Sequence, residues 1–271
     1  MRAMSEPVAQ ITLPGAVVLV TGGSRGIGAG IARAFLEAGA RVVVCGRTPP
    51  EPGALPKHDG RAAQFIACDV RKPELVQALI DQVVREHGRL DVLVNNAGGT
   101  PSADLADSSP QLIERVIQLN LLAPLYCSQA ANRVMQLQEE GGSIINIGSV
   151  AGLRPAPASV VYGAAKAGLL SATESLAMEW GPRVRVNAVV LGFVATENAN
   201  EHYGGPEGIA RISRMFPLKR LAEPEDAAAA CLFLASPLAR YVSGAQLAVH
   251  GGGEWPVFLY LAKSAREGQS P

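Results

Sequence analysis

Short runs of β-branched residues alternate with helical patterns along nearly the whole chain, and this alternation constrains the fold more than any other feature. The run AVVLVTG at 16–22 precedes a helical pattern at 26–39, and the run ARVVVCGR follows it at 40–47. Strands that are apolar along nearly their whole length are typical of a parallel sheet covered by helices on both faces. We therefore predict one α/β domain over 1–271, a doubly wound, Rossmann-like parallel sheet of about seven strands.

The crossover between the second and third predicted strands is the exception to this alternation. A helix is expected there, but the segment at 48–60 contains Pro49, Pro50, Pro52 and Pro56. Each proline removes a backbone donor, and inside a helix its ring clashes with the preceding turn. The sequence therefore predicts a loop with at most one helical turn.

The balance of charge indicates which kinds of partner this chain is not expected to bind. The 24 Lys and Arg residues equal the 24 Asp and Glu residues, and no basic stripe carries interleaved aromatic residues. Nucleic acid and membranes are therefore not expected partners, and no apolar run approaches membrane-spanning length. The N-terminus lacks the apolar core of a signal peptide.

The four cysteines are far apart, without a CxxC motif or a neighbouring histidine. We expect reduced thiols, no metal site and a cytoplasmic location.

A glycine-rich turn, VTGGSRGIG at 20–28, follows the first predicted strand and opens the first helix. Its spacing is Gly22-x-x-x-Gly26-x-Gly28 and does not fit GxGxxG. Glycines at such a turn let helix N–H groups approach a pyrophosphate, whose charge the helix N-terminus stabilises. Taken alone, the turn is equally compatible with an ordinary connection between a strand and a helix.

The end of the second predicted strand indicates which dinucleotide would bind. A site for NAD typically has an acidic residue there to hold the ribose hydroxyls, whereas this chain has Gly46 followed by Arg47. Together with Ser24 and Arg25 in the glycine turn, Arg47 suits a ribose 2′-phosphate through charge-assisted hydrogen bonds. The sequence favours NADP(H), and the alternative is that both arginines are solvated surface residues.

A helical pattern at 159–180 carries the residues suited to proton transfer. It places Tyr162 and Lys166 one turn apart on one face, among small residues that let a cofactor lie close to the helix. Reduction of a carbonyl by hydride requires a proton donor, and free tyrosine, with a pKa near 10, is a poor one. We expect the charge of Lys166 to lower the pKa of Tyr162. Ser149, at the carboxyl end of a predicted strand, can hold the substrate oxygen.

Five motifs in order resemble the short, single-domain branch of the short-chain dehydrogenase/reductase family. They are TGGSRGIG at 21–28, NNAG at 95–98, Asn120, Ser149 and YGAAK at 162–166. The resemblance runs from about residue 13 to residue 253. It implies an enzyme that transfers hydride between NADP(H) and a carbonyl or secondary alcohol, with Asn120, Ser149, Tyr162 and Lys166 as catalytic residues.

The resemblance also implies individual roles in binding the cofactor. Lys166 would bond the nicotinamide ribose, Asn120 would bend its helix and hold a water in a proton relay, and Asp69 would contact the adenine. The family usually has Pro-Gly where this chain has Leu191-Gly192, which leaves the backbone near the nicotinamide less constrained. The expected cofactor-binding residues are Gly22, Ser24, Arg25, Gly26, Ile27, Gly28, Arg47, Asp69, Val70, Asn96, Ala97, Gly98, Tyr162, Lys166, Gly192, Val194 and Thr196.

The segment at 194–221 is predicted to form a lid over the substrate. The apolar residues Phe193, Met215 and Phe216 would wall a pocket that fits ketones, 3-oxoacyl thioesters or steroid-like carbonyl compounds. A catalytically silent cofactor-binding regulator or scaffold of the same fold is the alternative function. The complete set of Asn, Ser, Tyr and Lys favours an enzyme, because a binding module has no use for a phenol beside a lysine.

The C-terminal extension at 254–271 contains an apolar run from Trp255 to Leu261. Left in water, this run would form a patch that monomers usually avoid. It could fold back on its own domain, but we predict docking across a two-fold axis in a homotetramer, as the resemblance implies. The tail from Lys263 onward is expected to be disordered or loosely held.

Overall fold

A computed structural model of the chain describes residues 11–266, and its centre is a seven-stranded sheet in which every pair of neighbouring strands is parallel. The strands in chain order are β1 (Val17–Thr21), β2 (Arg41–Gly46), β3 (Lys57–His58), β4 (Arg61–Ala62), β5 (Gln64–Ala67), β6 (Val92–Asn95), β7 (Gly142–Ser149), β8 (Val184–Leu191) and β9 (Gln246–Val249). The sheet has the order β5-β2-β1-β6-β7-β8-β9, which reverses between β1 and β6. The predicted doubly wound α/β fold is confirmed.

Helices cover both faces of this sheet. They are α1 (Gly26–Glu37), α2 (Pro73–His87), α3 (Pro110–Ile117), α4 (Ala123–Met135), α5 (Val160–Trp180), α6 (Ala199–Tyr203), α7 (Gly205–Met215), α8 (Pro224–Ala235) and α9 (Val257–Arg266). Alternate residues of β1 serve the two faces: Val18 and Val20 pack with α1 and α8, and Val17 and Leu19 pack with α2 and α4. None of the helices within residues 11–266 is long and apolar enough to cross a membrane.

The proline-rich crossover contains no helix, as predicted, but it contains a small hairpin that the sequence analysis missed. Strands β3 and β4 pair antiparallel around Asp59 and Gly60, both of which have positive φ. An Asp-Gly pair is the usual solution for such a two-residue turn, because glycine adopts positive φ without strain and aspartate tolerates it. The Asp59-Gly60 dipeptide could therefore have predicted this turn from the sequence.

Three regions show detail that the sequence analysis did not give. A π turn at Gln118–Leu122 separates α3 from α4. The segment expected to form a lid carries α6 and α7 after β8. The C-terminal extension continues as α9 to Arg266. That the tail from Lys263 onward is loosely held stays a prediction, and residues 267–271 lie outside the described part.

Candidate active site

The carboxyl ends of β1, β6, β7 and β8 meet at one edge of the sheet, next to the point where the strand order reverses. In open α/β sheets, ligands bind at this position because the loops on either side of the reversal diverge and leave a crevice. Many of the predicted site residues lie at or directly after the ends of these strands, and Tyr162 and Lys166 lie on α5, which follows β7. The topology alone therefore assembles segments that are more than a hundred residues apart in the sequence.

The glycine turn after β1 is built for close backbone approach. Gly22 and Gly26 have φ of 64° and 53°, a region that residues with side chains rarely adopt. A Cβ on Gly28 would clash with the carbonyl oxygen of Gly22, and a Cβ on Gly30 would lie 2.5 Å from Cβ of Pro224 in α8. The turn and the first helix therefore fit together only with glycine, which leaves the N–H groups of α1 open to an anion.

Asn96 and Ala97 fix the turn from the neighbouring strand. The Asn96 side-chain amide donates to the carbonyl oxygens of Thr21, at 2.9 Å, and Gly22, at 3.2 Å. The backbone N–H groups of Asn96 and Ala97 each donate to the Thr21 hydroxyl at 3.0 Å. The NNAG motif and the glycine turn thus form one rigid rim of the crevice.

Helix α5 presents Tyr162 and Lys166 to the same crevice. Lys166 is 4% exposed, and its ammonium donates to the carbonyl oxygen of Ile147 at 2.7 Å. Its Nζ lies 5.6 Å from the centroid of the Tyr162 ring. Burial lowers the pKa of Lys166 to about 8. Ser149, the last residue of β7, hydrogen-bonds the Tyr162 side chain, and its Oγ accepts from the Ala151 N–H at 3.2 Å.

The pKa of Tyr162 lies above its ordinary value, because burial disfavours the phenolate. The hydrogen bond from Ser149 acts in the opposite direction, and the nearby phenol of Tyr203 adds to the increase. The expectation that Lys166 lowers this pKa is wrong for this arrangement, in which the ammonium is directed at Ile147. The phenol is therefore protonated at neutral pH.

Asn120 lies in the π turn between α3 and α4 and is fully buried. Its amide donates to the carbonyl oxygens of Gly99, at 2.9 Å, and Val116, at 3.0 Å, and its Oδ1 accepts from the Gly99 N–H at 2.9 Å. A Cβ on Gly98 would lie 2.9 Å from that same Oδ1. Asn120 therefore interrupts its helix, as the resemblance implied, and ties that helix to the loop after β6. Its part in a proton relay stays a prediction.

Charged residues gather where β2 and β5 end side by side. Arg47 is exposed, and Asp69 forms a bidentate ion pair with Arg71 at 2.6 and 2.9 Å. The Arg71 guanidinium holds the pKa of the Asp69 carboxyl below its ordinary value, and Arg47 contributes in the same direction. The Val70 side chain is 6% exposed and packs into the core. The sequence analysis did not identify Arg71, although its position two residues after Asp69 could have suggested that the two side chains pair.

Thr196 reaches the glycine turn from the segment after β8. A Cβ on Gly26 would lie 3.6 Å from Thr196 Cγ2, and Val194 forms a bridge with Ala222. The next residue, Glu197, accepts a hydrogen bond from the Gly26 N–H at 3.2 Å. Sequence reasoning missed this carboxylate, which lies 171 residues from its partner.

The backbone that the resemblance places near the nicotinamide is supported by a histidine. Leu191 ends β8 and is 4% exposed, and a Cβ on Gly192 would lie 3.0 Å from Cβ of His250. Close packing against His250, which directly follows β9, thus restricts a backbone that lacks the family's usual proline.

Phe193 and two aromatic residues of the lid form a cluster near Tyr162. The ring centroids of Phe193 and Tyr203 are 5.4 Å apart, and those of Phe193 and Phe216 are 5.6 Å apart. The Tyr203 hydroxyl accepts a hydrogen bond from the Val194 N–H. The predicted wall formed by Phe193 and Phe216 is thus joined by Tyr203, which sequence reasoning missed.

An open cavity adjoins Tyr162, between the loop at 100–105, α3 and the start of α5. Its lining carries no charged residue and is mainly apolar. The larger apolar side chains in it are those of Leu105, Leu112, Ile113, Val160 and Val161. An uncharged, apolar part of a substrate suits such a lining better than a chain of hydroxyl groups, each of which would need a polar partner.

Comparison with known proteins places this arrangement among nicotinamide-dependent oxidoreductases. A family model described as enoyl-(acyl carrier protein) reductase matches residues 22–254. The D-threitol dehydrogenase of Mycolicibacterium smegmatis is 38% identical over 244 residues, which cover 89% of this chain and 93% of that protein. The 3-oxoacyl-[acyl-carrier-protein] reductase of Chlamydia trachomatis is also 38% identical over 244 residues, which cover 86% of this chain and 95% of that protein.

Solved structures agree with the sequence relatives. Aldohexose dehydrogenase of Thermoplasma acidophilum matches with a TM-score of 0.81 at 31% identity, over 88% of this chain and 94% of that one. A short-chain type dehydrogenase/reductase from Mycobacterium ulcerans matches with a TM-score of 0.83 at 30% identity, over 89% of this chain and 90% of that one.

Proposed function

The chain belongs to the short-chain dehydrogenase/reductase family, and from that membership we propose that it transfers hydride between NADP(H) and a ketone or secondary alcohol. The oxidoreductase class follows from the family, whose members among the relatives are dehydrogenases and reductases. The observation that carries the proposal is the convergence of three side chains: Tyr162 is hydrogen-bonded to Ser149, and Lys166 is buried beneath its ring. A catalytically silent binding module would gain nothing from this arrangement.

The chain's own residues account for the movement of the proton, and bound NADP(H) would supply or accept the hydride. In reduction, the Tyr162 hydroxyl donates its proton to the substrate oxygen, and in oxidation it accepts that proton. Ser149 holds the same oxygen, since its hydroxyl already lies within hydrogen-bond distance of Tyr162. The raised pKa of Tyr162 keeps the phenol protonated at neutral pH, so its hydroxyl carries the proton that reduction consumes.

The fit of a dinucleotide rests on the glycine turn and on the charges beside it. The turn leaves no room for a Cβ on Gly28, and the N–H of Gly26 already holds a carboxylate oxygen, which shows its capacity for an anion. At the ends of β2 and β5, Arg47 and Arg71 outnumber the single carboxylate of Asp69. This excess of positive charge supports NADP(H), whose 2′-phosphate is the feature that NAD lacks.

The apolar cavity beside Tyr162 supports a substrate whose carbonyl carries an uncharged, apolar substituent, as in simple ketones, 3-oxoacyl thioesters and steroid-like compounds. The relatives include both an acyl-carrier-protein reductase and sugar dehydrogenases, so the family membership alone does not choose between apolar and polyhydroxylated substrates. The lining of the cavity favours the first class.

We further propose a cytoplasmic homotetramer. All four cysteines are free and buried, which suits a reducing compartment. Helix α9 exposes Val257, Phe258 and Leu261 by 62%, 71% and 45%, an apolar face that a second copy of the chain would cover.

The test is to follow NADPH absorbance with a panel of ketones, acetoacetyl thioesters, steroids and aldoses. We expect turnover with at least one apolar carbonyl compound and none with the Tyr162→Phe variant. Turnover of aldoses alone would contradict the substrate class, and dinucleotide binding without turnover of any class would favour the regulator.

A further inference from the structure

The N-terminus of α1 has no cap from its own sequence neighbours. The N-cap residue, Arg25, makes no side-chain capping hydrogen bond, and the first turn contains no acidic residue. Helix N-termini carry unpaired N–H groups and a partial positive charge, so they attract anions. At the first position of this helix, that role is taken by Glu197, whose Oε1 accepts from the Gly26 N–H at 3.2 Å.

Both oxygens of the Glu197 carboxylate lie over the glycine turn. A Cβ placed on Gly26 would be 3.5 Å from the second oxygen, Oε2, and 3.6 Å from Cγ2 of the preceding Thr196. A dinucleotide pyrophosphate would use the same helix N-terminus. Two anions at one N–H group repel each other and compete for its hydrogen bond.

Glu197 also lies near the start of the lid, two residues before α6. The Ala199 N–H donates to the carbonyl oxygen of Thr196 at 2.9 Å, so α6 begins directly beyond the carboxylate. Helix α6 ends at Tyr203, which packs against Phe193, and α7 begins after the single residue Gly204. A contact that fixes Glu197 therefore fixes the entry to the lid. Its release would leave the lid held by the aromatic cluster and by backbone contacts such as the Val194–Ala222 bridge.

We propose that Glu197 is a displaceable internal anion, which latches the lid onto the N-terminus of α1 until a dinucleotide pyrophosphate takes its place. The inference rests on the proposed function, since it needs a dinucleotide to bind at the glycine turn. Binding and release are then thermodynamically linked: the factor by which the latch weakens cofactor binding is also the factor by which the bound cofactor weakens the latch.

The test compares Glu197→Gln with Glu201→Gln, a matched change of an exposed carboxylate in α6 of the same lid. A charge at a helix N-terminus is worth a few-fold in affinity, so Glu197→Gln should bind NADPH about 2- to 5-fold more tightly than the unaltered protein. NADH and inorganic pyrophosphate should gain by a similar factor, because the pyrophosphate is the shared group. The Glu201→Gln variant should bind all three probes like the unaltered protein.

A second readout needs no cofactor. Amide hydrogen exchange over residues 198–215 of the protein without added dinucleotide should be faster in Glu197→Gln than in the unaltered protein, and unchanged in Glu201→Gln. Unchanged exchange, or unchanged or weaker affinity for NADPH in Glu197→Gln, would overturn the latch while leaving the proposed function intact. A gain confined to NADPH would also overturn it, because the 2′-phosphate and not the pyrophosphate would then be the competing group. Failure of the unaltered protein to bind any dinucleotide would overturn both the latch and the proposed function.

Discussion

Lys166 and Ile147 are joined across the floor of the active site by a hydrogen bond of 2.7 Å from the ammonium to the backbone carbonyl. Ile147 lies two residues before Ser149 on β7, so one strand both presents the Ser149 hydroxyl and holds the lysine. The ammonium is enclosed by protein, and burial lowers its pKa to about 8 from an ordinary value of 10.5. A charge in this position is costly to the folded state, which has a measurable consequence.

The cost of the buried ammonium predicts a pH-dependent stability. Below about pH 8, Lys166 is protonated in the folded and unfolded states, whereas between about 8 and 10.5 only the unfolded state holds the proton. The free energy of unfolding contributed by this group therefore rises with pH across that window. We expect the unaltered protein to gain stability relative to Lys166→Met, which cannot titrate, as the pH increases from 8 to 10.5.

Urea unfolding of both proteins at a fixed chain concentration would measure this difference. The exposed Lys72, changed to Met, provides the control and should show a difference that does not vary with pH. A flat difference for Lys166→Met as well would mean that the folded protein holds this lysine charged throughout.

Removal of the Tyr162 hydroxyl should abolish turnover while NADPH affinity stays within a few-fold. The phenol transfers its proton only in the transition state, so Tyr162→Phe should lower kcat by about 10²–10⁴ or more. A turnover assay measures the loss of activity, and titration with NADPH measures the affinity for the cofactor. The matched control is Tyr241→Phe, at a fully exposed tyrosine. Retention of more than a tenth of the activity on a verified substrate would be incompatible with the assigned role.

The fold was predictable because both faces of each central strand are apolar. The convergence of Ser149, Tyr162 and Lys166 was predictable because one lies at the carboxyl end of a strand and the other two are one helical turn apart. The missed features depend on chain paths that no local pattern encodes. Glu197 reaches Gly26 only because β8 ends beside β7 and directs the following segment back over the glycine turn. The direction of the Lys166 ammonium likewise depends on where β7 places the Ile147 carbonyl, and helical spacing alone suggested that the charge would act on Tyr162.

Arg47 should discriminate between the two dinucleotides. A charged hydrogen bond to the 2′-phosphate is worth about 1.5–3 kcal/mol, so Arg47→Ala should weaken NADPH binding by roughly 10- to 150-fold and leave NADH nearly unchanged. Arg41→Ala, at the other end of β2 and also exposed, is the control and should alter neither affinity. Equal affinities of the unaltered protein for NADH and NADPH would defeat this assignment.

A substitution at the carboxyl end of β2 should reverse the preference between NADPH and NADH. A Cβ on Gly46 would lie 3.6 Å from the Phe65 ring, an ordinary contact, so Gly46→Asp should fold without rearrangement. The new carboxylate would accept hydrogen bonds from the ribose hydroxyls of NADH and repel the 2′-phosphate of NADPH. The ratio of the two dissociation constants, measured for both proteins, should shift towards NADH, and an unchanged ratio would show that the ribose binds elsewhere.

The C-terminal extension should be needed for assembly, and its contacts allow two effects to be separated. Glu254 forms an ion pair with Arg154 in the loop after Ser149, and the Trp255 N–H donates to the carbonyl oxygen of Met215 at the end of α7. These contacts tie the extension to its own active site, whereas the exposed apolar face of α9 lies beyond them.

Deletion of residues 256–271 should therefore dissociate the proposed tetramer while it preserves both of these contacts. Deletion of 254–271 should in addition raise KM for the substrate, because the loop after Ser149 and the end of α7 lose their shared support. Light scattering and steady-state kinetics on the two truncated chains measure the two effects separately.

The double change Phe258→Ser and Leu261→Ser, compared with Leu238→Ser at another exposed leucine, tests whether the apolar face rather than the length of the chain is responsible. A monomeric unaltered protein, or a truncated chain of unchanged oligomeric mass, would show that α9 does not bind a second copy.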